Sequence, residues 1–319
     1  MKIIDVQDGA LVPGAAETPE PGLGEIRVKV VAAGVNRADV LQRKGFYPPP
    51  PGISEVIGLE VSGTVDSLGP EAEGWAVGEE CVALLAGGGY AEYAVVPAGQ
   101  AVPPPKGVDL VTSAGLLEVA ATVMSNFSHA RLASGETVLL HGGAGGIGTF
   151  AIQYAKALGA RVITTAGTPE KLAFCRELGA DEAVDYHDDW AARVNKLTGG
   201  RGVDVILDIM GAKYLEANVA SLADDGRLVV IGLQGGRKGT LDLNRLLTKR
   251  ATVTATSLRF RPVAGKVEIC QRVAREIWPL VESGAIKPAP TTTYPFDEAA
   301  AAHAQLESGD NVGRIVLVL

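Results

Sequence analysis

The residues best placed to do chemistry are Gly143-Ala144-Gly145-Gly146-Ile147-Gly148, a G-x-G-x-x-G run. It directly follows the short apolar strand Thr137-Val138-Leu139-Leu140 and opens a helical segment from Thr149 to Leu158. In such a run the first glycine allows a tight turn. The second lets backbone N–H groups approach a pyrophosphate, and the third lets helix and strand pack closely. Anionic phosphates then face the positive end of the helix dipole. A loop that merely turns the chain is the alternative, but the strand-turn-helix-strand setting favours dinucleotide binding.

The next strand, Arg161-Val162-Ile163-Thr164-Thr165, ends where a dinucleotide site tells its cofactors apart. An NAD site normally has an acidic residue there, about 20 residues after the glycines, to accept from the ribose hydroxyls. Here the turn reads Thr165-Ala166-Gly167-Thr168-Pro169-Glu170-Lys171. No carboxylate ends the strand, and Thr168 and Lys171 could meet a 2′-phosphate with a hydroxyl and a positive charge, with Gly167 among the cofactor-binding residues of the same turn. Glu170 lies one position into the helix that Pro169 opens, and is read as its cap. NADPH is therefore expected over NADH.

The elements that must hold this turn come from a chain of 319 residues, enough for about two domains. The first third is β-rich: Glu25 to Val31 alternates with period two, and Val56 to Val65, Val77 to Val82 and Tyr90 to Val96 are further strands. From about Val111 strands alternate with helices, through Ala183 to Asp185, Val203 to Ile209, Arg227 to Ile231 and Thr252 to Thr256. That rhythm predicts a doubly wound parallel sheet with helices on both faces. The tail has helices over Lys266 to Val281 and Glu298 to Glu307, and a closing strand from Arg314. It is too short for a third core and is expected to return to the first domain. The expected division is a substrate domain over 1–114, a Rossmann domain over 115–256 and a return segment over 257–319.

Composition narrows the function classes. The formal net charge is −8, which argues against a nucleic-acid partner. No uncharged apolar stretch reaches the ~18 residues of a membrane helix. Asp5 and Asp8 interrupt the N-terminal residues before a signal-peptide core could form. Cys81, Cys175 and Cys270 are odd in number and widely spaced. They offer no disulfide framework or zinc spacing, so each is read as a buried hydrophobe in a cytoplasmic protein.

Several further motifs together resemble one family. Gly135-Glu136-x-x-Leu139, the glycine run and Gln153-x-x-Lys156 resemble the quinone oxidoreductase/zeta-crystallin signature of the medium-chain dehydrogenase/reductase superfamily. Gly34-Val35-Asn36-Arg37-Ala38-Asp39, Gly45-Phe46-Tyr47-Pro48, Gly58-Leu59-Glu60-Val61-Ser62-Gly63, Ala91-Glu92-Tyr93 and Asn311-Val312-Gly313-Arg314-Ile315-Val316 extend the likeness over essentially the whole chain. It looks closest to the branch containing the tumour-suppressor-inducible quinone reductase. The resemblance implies an α/β fold, a Rossmann domain inserted in a β-rich, partly barrel-like (GroES-like) substrate domain, and a homodimer. Asn36 and Leu59 stand where zinc-dependent relatives place Cys and His ligands, so no metal is expected.

The resemblance implies an NADPH-dependent, zinc-independent reduction of a quinone or other electron-poor small molecule. Reduction of a 2-alkenal or enone double bond is an alternative, and an NADPH-binding sensor or structural protein with little turnover is another. Tyr47, before Pro48-Pro49-Pro50-Pro51, and Asn36 are expected to line the substrate pocket. Thr122, Ile231-Gly232-Leu233, Ser257-Leu258-Arg259 and Asn311 would lie toward the nicotinamide. Tyr186 resembles the tyrosine that helps bind the adenosine phosphate. His129, His141, His187 and His303 share no spacing, and His141 is read as structural. The Ala251 to Ser257 stretch suits edge pairing across a twofold axis.

Overall fold

The computed structural model describes residues 1–319, which divide into two compact units. The first comprises Met1–Ala121, Leu258–Gly284 and Pro288–Leu319, and the second comprises Thr122–Ser257 and Ala285–Lys287. The short stretch Ala285–Lys287 belongs with the second unit for a local reason. Gln153 Nε2 donates to the Lys287 carbonyl at 3.0 Å, and the Lys287 N–H donates to Gln153 Oε1 at 2.8 Å.

The first unit begins with β1 (Lys2–Gln7) and β2 (Ala10–Ala15), an antiparallel pair. Its main sheet has seven strands built around β3 (Glu25–Val35). One edge of β3 pairs with β4 (Glu60–Leu68), which leads on to β5 (Glu80–Leu84). Its other edge is shared: β6 (Tyr93–Pro97) takes Glu25 to Lys29, and a strand from the tail takes Ala32 to Val35. The short β7 (Ala101–Val102) pairs with β5. Residues of β3 alternate at first and are all buried over its last four positions, where the tail covers them. Ile26, Val28, Val61, Val65, Val96, Ile315 and Leu317 build the core.

Three expected strands start later than the alternation suggests: Val56 to Val65 begins at Glu60, Val77 to Val82 at Glu80 and Tyr90 to Val96 at Tyr93. The stretch from Val56 to Leu59 is a turn because Gly58 has φ +113° and lies against Gly89, whose Cα would be 2.6 Å from any Cβ placed there. Val77 to Glu79 similarly precede β5.

The second unit carries β8 (Thr137–Leu140), β9 (Arg161–Ala166), β10 (Glu182–Asp185), β11 (Val203–Asp208), β12 (Leu222–Val230) and β13 (Thr252–Ala255). All pair in parallel in the order β10-β9-β8-β11-β12-β13. The chain thus runs outward one way from β8 and then crosses back to β11. In such a sheet the crevice for ligands lies at the carboxyl ends of the strands, where the order reverses. Central strands are buried throughout, as β8 and β11 show, and each carries a short apolar run, Val138-Leu139-Leu140 in β8 and Val205-Ile206-Leu207 in β11. The fold is therefore a Rossmann-type α/β unit together with a β-rich GroES-like unit.

In the tail, β14 (Thr291–Pro295) pairs in parallel with β15 (Arg314–Val318), which pairs antiparallel with β3. The long tail helix is interrupted by a π-helical turn at Val273–Ile277 just before Pro279, a residue that cannot donate to the preceding turn. The helical run Leu110–Ala130 is long and apolar enough to cross a membrane by length and composition, and it includes Glu118. It is 78% buried within the protein and serves as a core helix. Cys81, Cys175 and Cys270 are all free and buried.

Candidate active site

In the second unit, the turn after β8 shows why each glycine is there. A Cβ on Gly143 would stand 2.8 Å from Cys175 Sγ, and one on Gly148 would stand 2.5 Å from the Gly143 Cα. Both are required so that the helix Gly146–Ala157 can start against the strand ends. Gly145 is different. Its backbone is extended (φ −80°, ψ 173°), and a Cβ there would meet only the Gly142 carbonyl oxygen, at 3.5 Å. Gly145 is also the helix N-cap and has no side chain to satisfy the first-turn amides. Open space therefore lies beside a row of N–H groups at a positive helix end, the arrangement a phosphate needs.

The turn after β9 is also built closely. Tyr186, 43% exposed, lies over Gly167, where any Cβ would collide with its ring. Thr168 caps the helix Pro169–Glu177, its Oγ1 accepting from the Lys171 N–H at 3.3 Å. Glu170 is held below the usual carboxylate range by its own backbone N–H and by the Thr168 hydroxyl. The hydroxyl expected to meet a phosphate is thus also a helix cap. Lys171 is half-buried beside it.

The remaining expected cofactor residues of this unit sit at strand ends. Ile231 and Gly232 follow β12, and Gly232 leaves no room for a Cβ, which would lie 2.7 Å from the Ile209 carbonyl oxygen. Leu233 is 51% exposed. The Thr122 carbonyl accepts from Asn126 Nδ2 at 2.7 Å, and Asn126 Oδ1 accepts from Thr256 Oγ1 at 2.6 Å. That ties the helix bearing Thr122 to the end of β13, beside Ser257.

The first unit holds the expected substrate-side residues. Tyr47 packs edge-on against Phe260, with ring centroids 5.4 Å apart. Arg259 sits behind them, 4% exposed, its guanidinium 5.1 Å from the Tyr47 ring centre. It donates to the Ala86 carbonyl at 2.7 Å, the Tyr47 carbonyl at 3.0 Å and Gln42 Oε1 at 2.7 Å. In this structure Arg259 thus fastens the aromatic lip. Leu258 and Asn311 are half-buried in the same unit.

Asn36 caps the helix Arg37–Arg43 and is 7% exposed. Its Nδ2 donates to Glu60 Oε1 at 3.0 Å, and its Oδ1 accepts from both Arg314 Nη atoms at 3.1 Å. Arg314 also pairs directly with Glu60, and Glu60 Oε2 accepts the Glu118 N–H at 3.0 Å. Glu60 is 1% exposed; burial pushes its carboxyl up, and the Arg314 charge and Asn36 amide oppose that push. Gly34 makes this possible, because a Cβ there would strike the Glu60 carboxylate and lie 2.6 Å from the Ala114 carbonyl oxygen.

A second buried group lies close by. Asp39 Oδ2 accepts from the Asn36 N–H at 2.7 Å and the Tyr90 hydroxyl at 3.2 Å. The Tyr90 hydroxyl also meets His303 Nε2 at 3.0 Å. Burial raises Asp39 to about 7 and lowers His303 to about 4. Sequence reasoning assigned no role to Glu60, Arg314, Tyr90 or His303, because their partners lie far away along the chain. No group of three or more His, Cys, Asp or Glu side chains is placed to hold a metal ion. Leu59 is a buried apolar residue, and the Asn36 amide is committed on both sides.

Comparison with known proteins agrees with these two halves. Residues 22–106 match the family described as alcohol dehydrogenase GroES-like domain, and residues 146–268 match zinc-binding dehydrogenase. The chain is 34% identical to a quinone oxidoreductase of Pseudomonas aeruginosa, covering 94% of this chain and 92% of that one. It is 32% identical to a 2-haloacrylate reductase of a Burkholderia species, covering 93% and 92% respectively. A mycobacterial protein solved in complex with NADPH superposes with a TM-score of 0.91 at 36% identity, over the full length of both chains.

Two predictions follow from the buried charges of the first unit. Arg314→Met leaves Glu60 buried without its counter-charge and is expected to lower unfolding free energy by about 3–5 kcal/mol. Adding Glu60→Gln is expected to recover much of that loss. Denaturant titration of the three variants checks this, and equal losses in single and double variants would contradict it. Asp39 titrates higher in the folded than in the unfolded chain, so its contribution is fully present below about pH 4 and declines as pH rises through about 7. Compared with Asp39→Asn, the wild type is expected to lose on the order of a few kcal/mol between pH 4 and 8. Parallel pH dependences for the two proteins would show that Asp39 is ordinarily ionised.

Proposed function

Because the chain belongs to the quinone-oxidoreductase-like group of the medium-chain dehydrogenase/reductase superfamily, we propose that it reduces a quinone with NADPH and without a metal ion. The observation that carries this reading is the open Gly145 position over uncapped helix amides, in a chain related along its length to a quinone oxidoreductase. When bound, the dinucleotide supplies a hydride to an electron-poor acceptor. The chain's own residues do the rest. Gly143, Gly145, Gly146, Ile147 and Gly148 would hold the pyrophosphate by backbone N–H groups. Gly167, Thr168, Lys171 and Tyr186 would surround the 2′-phosphate. Thr122, Ile231, Gly232, Leu233, Ser257, Leu258, Arg259 and Asn311 would lie toward the nicotinamide.

Tyr47 and Phe260 offer aromatic surface suited to a flat acceptor, and Arg259 restrains Tyr47 from behind. Asn36 would shape the pocket from a fixed position. The positions that carry ligands in zinc-dependent relatives hold Asn36 and Leu59, so nothing acidifies an alcohol hydroxyl and alcohol oxidation is disfavoured. A second reading, reduction of an activated carbon–carbon double bond, draws support from the 2-haloacrylate reductase relative. The three buried thiols suit a reducing cytoplasm. A homodimer is supported by β13, an edge strand with half-exposed residues at the end of the parallel sheet.

Turnover of NADPH and NADH against quinones, 2-alkenals, 2-haloacrylate and alcohols, with and without chelator, tests this function. Chelator-resistant NADPH oxidation by quinones is the expected result; zinc-dependent alcohol oxidation would refute it. Lys171→Ala is expected to weaken NADPH about ten- to a hundredfold and leave NADH almost unchanged, since only NADPH carries the 2′-phosphate. Equal loss for both would make Lys171 a structural residue. Light scattering is expected to give twice the 33.0 kDa chain mass, and a monomer mass across working concentrations would exclude the dimer.

A further inference from the structure

One buried polar chain in the second unit serves neither the core nor any expected ligand contact. It starts at the glycine-rich turn. The Gly142 N–H donates to Thr165 Oγ1 at 3.3 Å, and Thr165 Oγ1 meets His141 Nδ1 at 3.2 Å. On the other side of the ring, His141 Nε2 meets Asn218 Oδ1 at 2.7 Å. Asn218 is close enough to the Asp208 carboxylate to offset part of burial's upward push on it, while its Nδ2 makes no hydrogen bond of its own. Asp208 accepts the Met210 N–H at 2.9 Å and the Gly211 N–H at 2.8 Å. Thr165, His141, Asn218 and Asp208 are all at most 3% exposed.

The direction of the protons between Gly142 and Asn218 follows from those two groups. A backbone N–H can only donate, so Thr165 Oγ1 accepts from Gly142 and has its own proton to give. The Asn218 amide presents its oxygen to His141, and an amide oxygen can only accept, so Nε2 must carry the ring proton. Nδ1 is then the acceptor for the Thr165 hydroxyl. The ring is fixed as one neutral tautomer and is clamped edge-on by Trp190 and Tyr214, with centroids 4.8 and 4.9 Å away. Burial lowers its pKa to about 4, which keeps it neutral at ordinary pH.

The far end of the chain reaches a second loop. The Met210-Gly211 turn packs on residues 232–236: Gly235 N–H donates to the Met210 carbonyl at 2.7 Å, and Ala212 N–H donates to the Gly236 carbonyl at 3.1 Å. A Cβ on Gly211 would stand 2.8 Å from the Gly236 carbonyl oxygen. The Met210-Gly211 turn after β11 is thereby joined to the loop after β12.

We propose that His141 is a positioning residue that ties the glycine-rich turn to the Met210-Gly211 turn, so that the two loops facing the cofactor are set as one unit. The proposal rests on the NADPH reading above for its purpose, but the tie itself exists in the cofactor-free protein. The pairing of β8 with β11 already links the strand ends, and the side-chain bonds of His141 add to that link at the turns.

Amide hydrogen exchange of the cofactor-free protein tests the tie. Thr165→Val removes the Gly142 end and is expected to speed exchange at Met210 and Gly211. Asn218→Leu removes the other end and is expected to speed exchange at Gly142 and Gly143. Changes confined to the neighbourhood of each substitution would overturn the proposal. If Asn218→Leu does not fold, the Thr165→Val result at Met210 and Gly211 decides alone. In NADPH titrations each single variant is expected to weaken binding roughly three- to thirtyfold, with the double variant little worse than either. His141→Gln, whose amide nitrogen can reach Asn218 but which offers no acceptor at the Nδ1 position, is expected to bind NADPH like Thr165→Val. Additive losses would contradict a shared path. A wild-type protein that does not bind NADPH would defeat the proposed function while the exchange experiment still judges the tie.

Discussion

A helix can begin directly against the ends of parallel strands only if no side chain stands between them. That steric constraint governs the turn from β8 into the helix Gly146–Ala157. Gly143 and Gly148 satisfy it, since a Cβ on either would strike a neighbour. With the helix held this close, its first amides emerge at the carboxyl edge of the sheet, at the point where strand order reverses. Gly145 then leaves their approach open. The candidate phosphate site is thus a consequence of close packing, and the polar chain through His141 links the same turn to Asn218 in the helix after β11.

The first unit meets a different constraint, the burial of charge. Removing a carboxylate from water costs several kcal/mol, and a single partner rarely compensates in full. Glu60 is answered by Arg314, the Asn36 amide and the Glu118 N–H together. Those groups come from β15, the turn before the helix Arg37–Arg43 and the start of the helix Leu117–Ala130. The pair is therefore better understood as fixing which segments meet than as adding net stability. The same bonds hold Asn36 in place, its amide committed to Glu60 on one side and Arg314 on the other.

Much of this architecture is legible in the sequence because its signals are local. The glycine run lies between a strand and a helix within a few residues, and alternating strands and helices imply the parallel sheet. The strand start at Glu60 is less legible, because Gly58 takes a left-handed conformation to lie against Gly89, 31 positions of sequence that no periodicity links. The buried networks are invisible for the same reason. Arg314 and Glu60 are 254 residues apart, Tyr90 and His303 are 213 apart, and His141 and Asn218 are 77 apart. Arg259 shows the opposite difficulty: its place after a strand suggests a ligand contact, while its guanidinium fastens Gln42, Tyr47 and Ala86.

The most direct measurement is the NADPH affinity of Gly145→Ala beside its thermal unfolding. Alanine adopts the φ and ψ of Gly145 without strain, and its Cβ meets nothing closer than 3.5 Å in the protein. The variant is expected to unfold at nearly the wild-type temperature and to bind NADPH at least about tenfold more weakly, a loss of about 1.4 kcal/mol, because the methyl group occupies space kept for a phosphate. Unchanged affinity in a folded Gly145→Ala protein would contradict the account.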